Sequence, residues 1–111
     1  MVTGKNKEQF RSWYFDNDMN AGGTLMDLLS FYNLPFELQI GVYLAYYNSL
    51  GYDIYPDACS CHSPSLYTFI IKNNEYEFVY YSYDNYSDFQ NPIESYKEAF
   101  KKADELINQQ N

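Results

Sequence analysis

Cys59-Ser60-Cys61-His62 is the cluster in this sequence whose residue types come nearest to holding a metal or activating a nucleophile. Zinc wants four ligands, and paired thiolates usually stand with two residues between them rather than one. The cluster supplies Cys59, Cys61 and His62, with Asp57 as a candidate fourth ligand. Two cysteines in a reducing compartment are more often free thiols, and a disulfide across a single residue is strained. His62 is the sole imidazole, and activating a neighbouring thiolate needs an orienting third group that sequence neighbours rarely provide. Asp16 to Asp27 imitates a calcium loop, with Asp16, Asp18, Asn20, Gly22, Thr24 and Asp27 at loop positions 1, 3, 5, 7, 9 and 12. Ala21 stands where the sharp turn wants Gly, and Asp27 is shorter than the usual bidentate Glu. A capping box at Thr24 to Asp27, preceded by a turn at Asn20 to Gly23, accounts for the same residues. Carboxylate pairs such as Asp16/Asp18 and Glu75/Glu77 read as solvated surface. The chain carries no Gly-rich phosphate loop, nucleophile elbow or paired-His motif, so the expectation is a protein that is not an enzyme and takes no cofactor or metal.

Binding is the chemistry that remains. Tyr80 to Phe89, YYSYDNYSDF, sets large rings among Ser, Asn and Asp, a mixture that gives contact area at low entropic cost together with adaptable hydrogen bonds. The expected partner-binding residues are Tyr81, Tyr83, Asp84, Tyr86, Asp88 and Phe89. Strand alternation places Tyr81 and Tyr83 away from Phe69 and Phe78, and a merely solvated loop has little use for Tyr86 and Phe89. The same composition also suits a half-buried outer strand and its connecting loop.

The formal charge of −8 is unevenly spread: no Lys or Arg occurs from Ser12 through Ile71, and none from Asn73 through Tyr96. A nucleic-acid footprint needs a basic face to displace counterions, so direct nucleic-acid binding is not expected and a protein with a basic surface is the sensible partner. No apolar run approaches the roughly 18 residues of a membrane span, and MVTGKNKEQF has no apolar signal region. A cytoplasmic protein with no membrane association is therefore expected. The 111 residues, 46% apolar with 14 Tyr and 8 Phe, fit a single domain over 1–111 with an aromatic-rich core.

The elements that must position these residues follow from periodicity and punctuation. Phe10, Trp13 and Tyr14 predict a helix over Lys5 to Phe15, anchored to the core by Trp13. A second helix, Leu25 to Tyr32, offers Leu25, Leu28, Leu29 and Tyr32 inward. The long helix from Pro35 to Gly51 carries Phe36, Ile40, Tyr43, Leu44, Tyr47 and Leu50 on its stripe, with Gly41 and Ala45 as a groove for close packing. Tyr52 to Tyr55 reads as a short strand that Pro56 ends or confines to an edge, and Asp57 to Ser65 as a loop. Leu66 to Tyr83 reads as a hairpin turning at Asn73-Asn74, with Ile71 facing Tyr76, Phe69 facing Phe78 and Tyr67 facing Tyr80, and with a second face at Leu66, Thr68 and Ile70 that is half wet or covered by a partner. Ser95 to Glu98 is a capping box opening a final helix that buries Tyr96, Ala99, Phe100, Ala103, Leu106 and Ile107. Glu98/Lys102 and Lys101/Glu105 are its expected outward pairs. The expected fold class is α+β, a three-stranded antiparallel sheet packed against helices in the order ααα-βββ-α.

Three stretches carry a resemblance. They are Thr3-Gly4-Lys5 with Lys7-Glu8-Gln9-Phe10 and Trp13-Tyr14, the central Phe31-Tyr32-x-Leu34-Pro35-Phe36-x-x-Gln39-x-Gly41-Val42-Tyr43, and Glu98-Ala99 with Ala103. On these residues the chain resembles a family of small phage- and prophage-encoded proteins of gut bacteria, to which no activity is attached. The tract that looks like Phe-Phe-Asp-Ser-Val-Gly in such proteins is Tyr46-Tyr47-Asn48-Ser49-Leu50-Gly51 here, with Asn48 in place of the acid. The resemblance implies context, a small protein of a phage genome acting in the host bacterial cell. Together with the charge it leads to the expectation of an accessory factor that engages or inhibits a host protein, of the anti-defence type or as a nucleic-acid mimic. The other expectation is a self-associating structural or assembly protein, a homo-oligomer.

Protein purified without added metal is expected to hold no stoichiometric zinc by elemental analysis. Stoichiometric zinc, lost together with folding on Cys61→Ser, would show that Cys59, Cys61 and His62 form a metal site after all.

Overall fold

The computed structural model describes residues 2–16, 28–59, 66–75, 77–81 and 91–110. Its elements are α1 (Gly4–Asp16), α2 (Leu28–Tyr32), α3 (Phe36–Ser49), β1 (Tyr52–Cys59), β2 (Leu66–Asn73), β3 (Phe78–Tyr81) and α4 (Pro92–Asn108). The class is α+β, as the residue pattern predicts. The sheet order is β1-β2-β3, and its body is the antiparallel β1–β2 ladder, which runs without interruption from Tyr52↔Asn73 to Cys59↔Leu66. β3 adds only a short antiparallel strand on the far side of β2. α4 packs across β2 and β1, α3 packs on β1, and α1 lies on α4 and α3.

The core is aromatic, and two rings organise it. Phe10 of α1 meets Tyr43 at 5.3 Å, Tyr46 at 5.1 Å and Phe31 at 5.8 Å between centroids. Phe100 of α4 meets Tyr43 at 5.4 Å and Tyr47 at 5.8 Å, so Tyr43 joins the two groups. Phe10, not Trp13, is the anchor of α1: Trp13 is half-buried and rests on Phe10 and Tyr46.

Helix orientations differ from the simplest periodic reading. α3 buries Gln39, Tyr43, Tyr46 and Tyr47, while Leu50 is exposed. Gln39 turns inward because its amide donates to the Tyr32 and Leu34 carbonyls at 3.2 and 2.8 Å, tying α3 to the end of α2. Gly41 and Ala45 lie on the exposed side, where a Cβ at Gly41 would meet nothing within 4 Å. They are therefore not a packing groove within the described structure. In α2 the buried residue is Phe31, and Leu29 is 76% exposed. Residues two apart on a helix point about 200° apart, so turning Phe31 into the Phe10 cluster turns Leu29 out.

Termini and register are decided by side chain to backbone bonds. α4 starts one turn before the expected capping box: Asn91 is the N-cap, its side chain accepting from the Glu94 N–H at 3.0 Å, with Pro92 in the first turn. Ser95 is buried inside the helix instead, donating to the Pro92 carbonyl at 2.8 Å. Among the described residues Lys102 pairs with Glu105 at 3.7 Å, three residues away, in place of the expected Lys101/Glu105 pair. Gly51 does take the left-handed conformation after α3, with φ 92°. β1 runs through Pro56, which an edge strand tolerates because no ladder bond is asked of it on its open side.

The hairpin register is not the one a two-residue Asn73-Asn74 turn imposes. The Asn73 side-chain oxygen accepts from the Glu75 and Glu77 N–H groups at 2.9 and 3.0 Å, and the Asn73 N–H donates to the Glu77 carbonyl. This widens the loop, so Ile71 pairs with Tyr80, Ile70 with Tyr81 and Lys72 with Phe78, with a bulge between Ile71 and Lys72.

Phe10→Ala is expected to lower unfolding free energy by about 3–5 kcal/mol in chemical denaturation, while Leu29→Ala stays within about 0.5 kcal/mol. Equal costs would contradict the orientation of α2 against α1.

Candidate functional site

Of the expected partner-binding residues, Tyr81 is the last residue of β3, at the register position of Ile70. Tyr83, Asp84, Tyr86, Asp88 and Phe89 lie outside the described residues. Cys59 closes β1 opposite Leu66, whereas Cys61 and His62 lie outside the described residues. Asp16 ends α1, and the remainder of the calcium-like loop, 17–27, also lies outside them. Among the described residues no group of three or more His, Cys, Asp and Glu side chains could hold a metal ion. The half-wet second face expected of β2 is a correction: Thr68 is 0% and Ile70 6% exposed. Alternation puts them opposite the core residues Phe69 and Ile71, so β2, the central strand, is covered on both faces.

Sequence reading missed a buried polar cluster that joins three helices. The Asp104 carboxylate accepts from the Thr3 backbone N–H at 2.8 Å, the Thr3 hydroxyl at 2.6 Å and the Asn6 amide at 2.7 Å. The Asn6 amide also donates to the Tyr47 hydroxyl at 2.9 Å, and the Tyr46 hydroxyl donates to the Asn6 side-chain oxygen at 2.6 Å. Asn108 completes the set, accepting from the Asn6 N–H at 2.9 Å and donating to the Thr3 hydroxyl at 3.1 Å. Asn6, Tyr46 and Tyr47 are fully buried, and each has a hydrogen-bond partner within the cluster. A carboxylate among tyrosines and amides suggests proton-transfer chemistry, but this one is only 8% exposed and is taken up by its partners on α1. Its work is to hold the start of α1.

The exposed polar site lies at the hairpin end. Asn48, Tyr52, Asp53, Lys72, Asn73 and Asn74 surround a hollow of about 310 Å³. Lys72, the one cation in residues 12–96, lies 5.4 Å above the Tyr55 ring, and hydrogen bonding to Tyr55 raises its pKa. Asp53, Glu75 and Glu77 are exposed and make no ion pair among the described residues. Such an arrangement offers carboxylates and amides to a cationic surface.

No family model, curated protein or solved structure matches the chain, so its function has to be argued from its own surfaces. No helix among the described residues is long and apolar enough to cross a membrane.

Burial pushes the phenols of Tyr43, Tyr46 and Tyr47 well above their ordinary value, and the Asp104 charge acts in the same direction. The unfolded chain therefore ionises first, near pH 10, while the folded chain keeps these protons. Stability is expected to be fully present below about pH 10 and to fall as pH rises beyond it. Tyrosinate absorbance should show these rings ionising only together with unfolding by circular dichroism. Free titration of every tyrosine in the folded protein would contradict the burial.

Proposed function

We propose that the protein works by binding, as a non-enzymatic phage accessory factor whose acidic hairpin end and following tyrosine tract engage a basic surface of a host protein. The observation that carries this reading is the charge at that end: Lys72 is shared between the Tyr55 ring and the Asp53 charge, while the exposed Glu75 and Glu77 make no ion pair among the described residues. Tyr81 leads directly from β3 into the stretch containing Tyr83, Asp84, Tyr86, Asp88 and Phe89, which adds rings and further acids with no Lys or Arg. Long-range attraction from such a surface speeds encounter with a basic partner, and the rings supply contact once it arrives. An inhibitor of a host defence protein or a mimic of nucleic acid, with carboxylates standing where phosphates would, has this chemistry. The phage context comes from the sequence resemblance. Self-assembly is the second reading, supported by Leu29 and Leu38, which are 76% and 63% exposed.

The test is affinity capture from host lysate, followed by salt titration and by comparison of Glu75→Lys/Glu77→Lys and of Tyr83→Ala, Tyr86→Ala and Phe89→Ala with the wild type. A basic partner released by salt, and lost on charge reversal and on at least one ring change with the fold intact, is the expected result. Capture unaffected by all of these changes would overturn the reading, and a concentration-dependent oligomer without any partner would favour self-assembly.

A further inference from the structure

α1 and α2 enclose a second surface feature whose chemistry is opposite to that of the hairpin end. A groove of about 590 Å³ runs between Lys7, Arg11 and Phe15 on α1 and Leu28, Leu29 and Tyr32 on α2. Lys7, Arg11 and Phe15 are spaced four residues apart, so they form one stripe along α1, and eight residues of helix carry it about 12 Å. The stripe is polarised. Lys7 and Arg11 stand at one end, with Lys7 Nζ 5.8 Å from the centre of the Tyr32 ring. Phe15, 49% exposed, stands at the other, and Leu29, 76% exposed, lines the α2 side of the groove.

Two features make this more than an uncovered apolar patch. The chain has 15 acids against 7 cations, yet neither Lys7 nor Arg11 makes an ion pair among the described residues. Glu8 lies on the same rim and pairs with neither. Tyr32, between the cations and the leucines, carries a buried hydroxyl with no hydrogen-bond partner among the described residues. Burial raises its pKa, so it remains a protonated donor at neutral pH.

We infer that this groove binds a small amphipathic anion, a medium-chain carboxylate, with its headgroup at Lys7 and Arg11 and its apolar chain along Leu28, Leu29 and Phe15. The volume lies within the range of small-molecule sites. The length of the stripe suits an extended chain rather than a compact ligand. The pairing of a carboxylate with Arg11, whose planar fork donates to it bidentately, and with Lys7 supplies the neutralisation that the protein's own acids do not.

Calorimetric titration with decanoate, with decyltrimethylammonium as the cationic counterpart and octyl glucoside as the neutral one, tests the assignment. Decanoate is expected to bind at one site per chain, and the other two amphiphiles at least about tenfold more weakly. Lys7→Glu or Arg11→Glu should weaken decanoate about tenfold or more, Glu8→Gln should tighten it, and Leu29→Ser should weaken it without changing the circular dichroism spectrum. Equal binding of all three amphiphiles, or decanoate affinity untouched by charge reversal at Lys7 and Arg11, would overturn the proposal. So would sedimentation showing a dimer that Leu29→Ser disperses, since a second copy would then fill the groove. Binding confined to an acidic peptide, with decanoate inert, would overturn it equally.

Discussion

The position of α1 depends on a carboxylate about a hundred residues away in sequence. A helix that starts at Gly4 leaves its first N–H groups without partners inside the helix, and its positive dipole end favours a negative charge. From α4, Asn108 accepts from the Asn6 N–H and Asp104 supplies the negative charge, and the Asn6 side chain carries the connection on to Tyr46 and Tyr47 of α3. A buried polar network of this kind is demanding, because one missing partner leaves the others desolvated and unpaired. Here Thr3, Asn6, Asn108 and the tyrosines satisfy one another. The consequence is geometric: with the start of α1 fixed against α4, Phe10 one and a half turns later can enter the core in only one way.

That entry sets the rest of the aromatic packing. Phe10 takes Tyr43, Tyr46 and Phe31 around it, and Tyr43 passes the contact on to Phe100. A core built from tyrosine keeps its polar tips near amides and carboxylates, which is why the Tyr46 and Tyr47 hydroxyls of α3 lie against the Asn6 amide. The same demand explains why Gln39 is inside and Leu50 outside, against their hydrophobicity. α2, only five residues long, has Phe31 as its one buried side chain, and with Phe31 turned inward Leu29 faces outward and the Tyr32 hydroxyl has no partner among the described residues.

What the sequence made legible was whatever is local. The punctuation of α3 by Pro35 and Gly51, the inward stripe of α4 at Ala99, Phe100, Ala103 and Ile107, and the α+β class follow from spacing within one element. The start of α4 was not legible, because Ser95 to Glu98 matches a capping box, and it is the burial of Ser95 in the packed fold that moves the start one turn back to Asn91. The hairpin register was not legible, because a bond from the Asn73 side chain to two backbone N–H groups outweighs the turn preference of Asn73-Asn74. Asn6 and Asp104 were invisible as partners: each reads as an outward polar residue in its own helix, and their meeting exists only in the packed fold. The groove was hidden for the same reason, since Lys7 and Arg11 look like a solvated face until α2 is laid beside them.

Charge segregation makes the two surfaces respond to salt in different ways. In 0.15 M salt, charges farther than about 8 Å apart are largely screened from each other. The molecule is 46 Å long, so an anion held at Lys7 and Arg11 feels those cations at contact while most of the distant acids fade as salt is added. Screening thus removes repulsion before it removes attraction, and affinity at the groove should change little between low and moderate salt. A basic partner at the hairpin end draws on the long-range field of the whole acidic chain, which is the part that salt removes first. One titration in salt therefore separates the two sites: the interaction that weakens steeply uses the summed charge of −8, and the one that persists uses local cations.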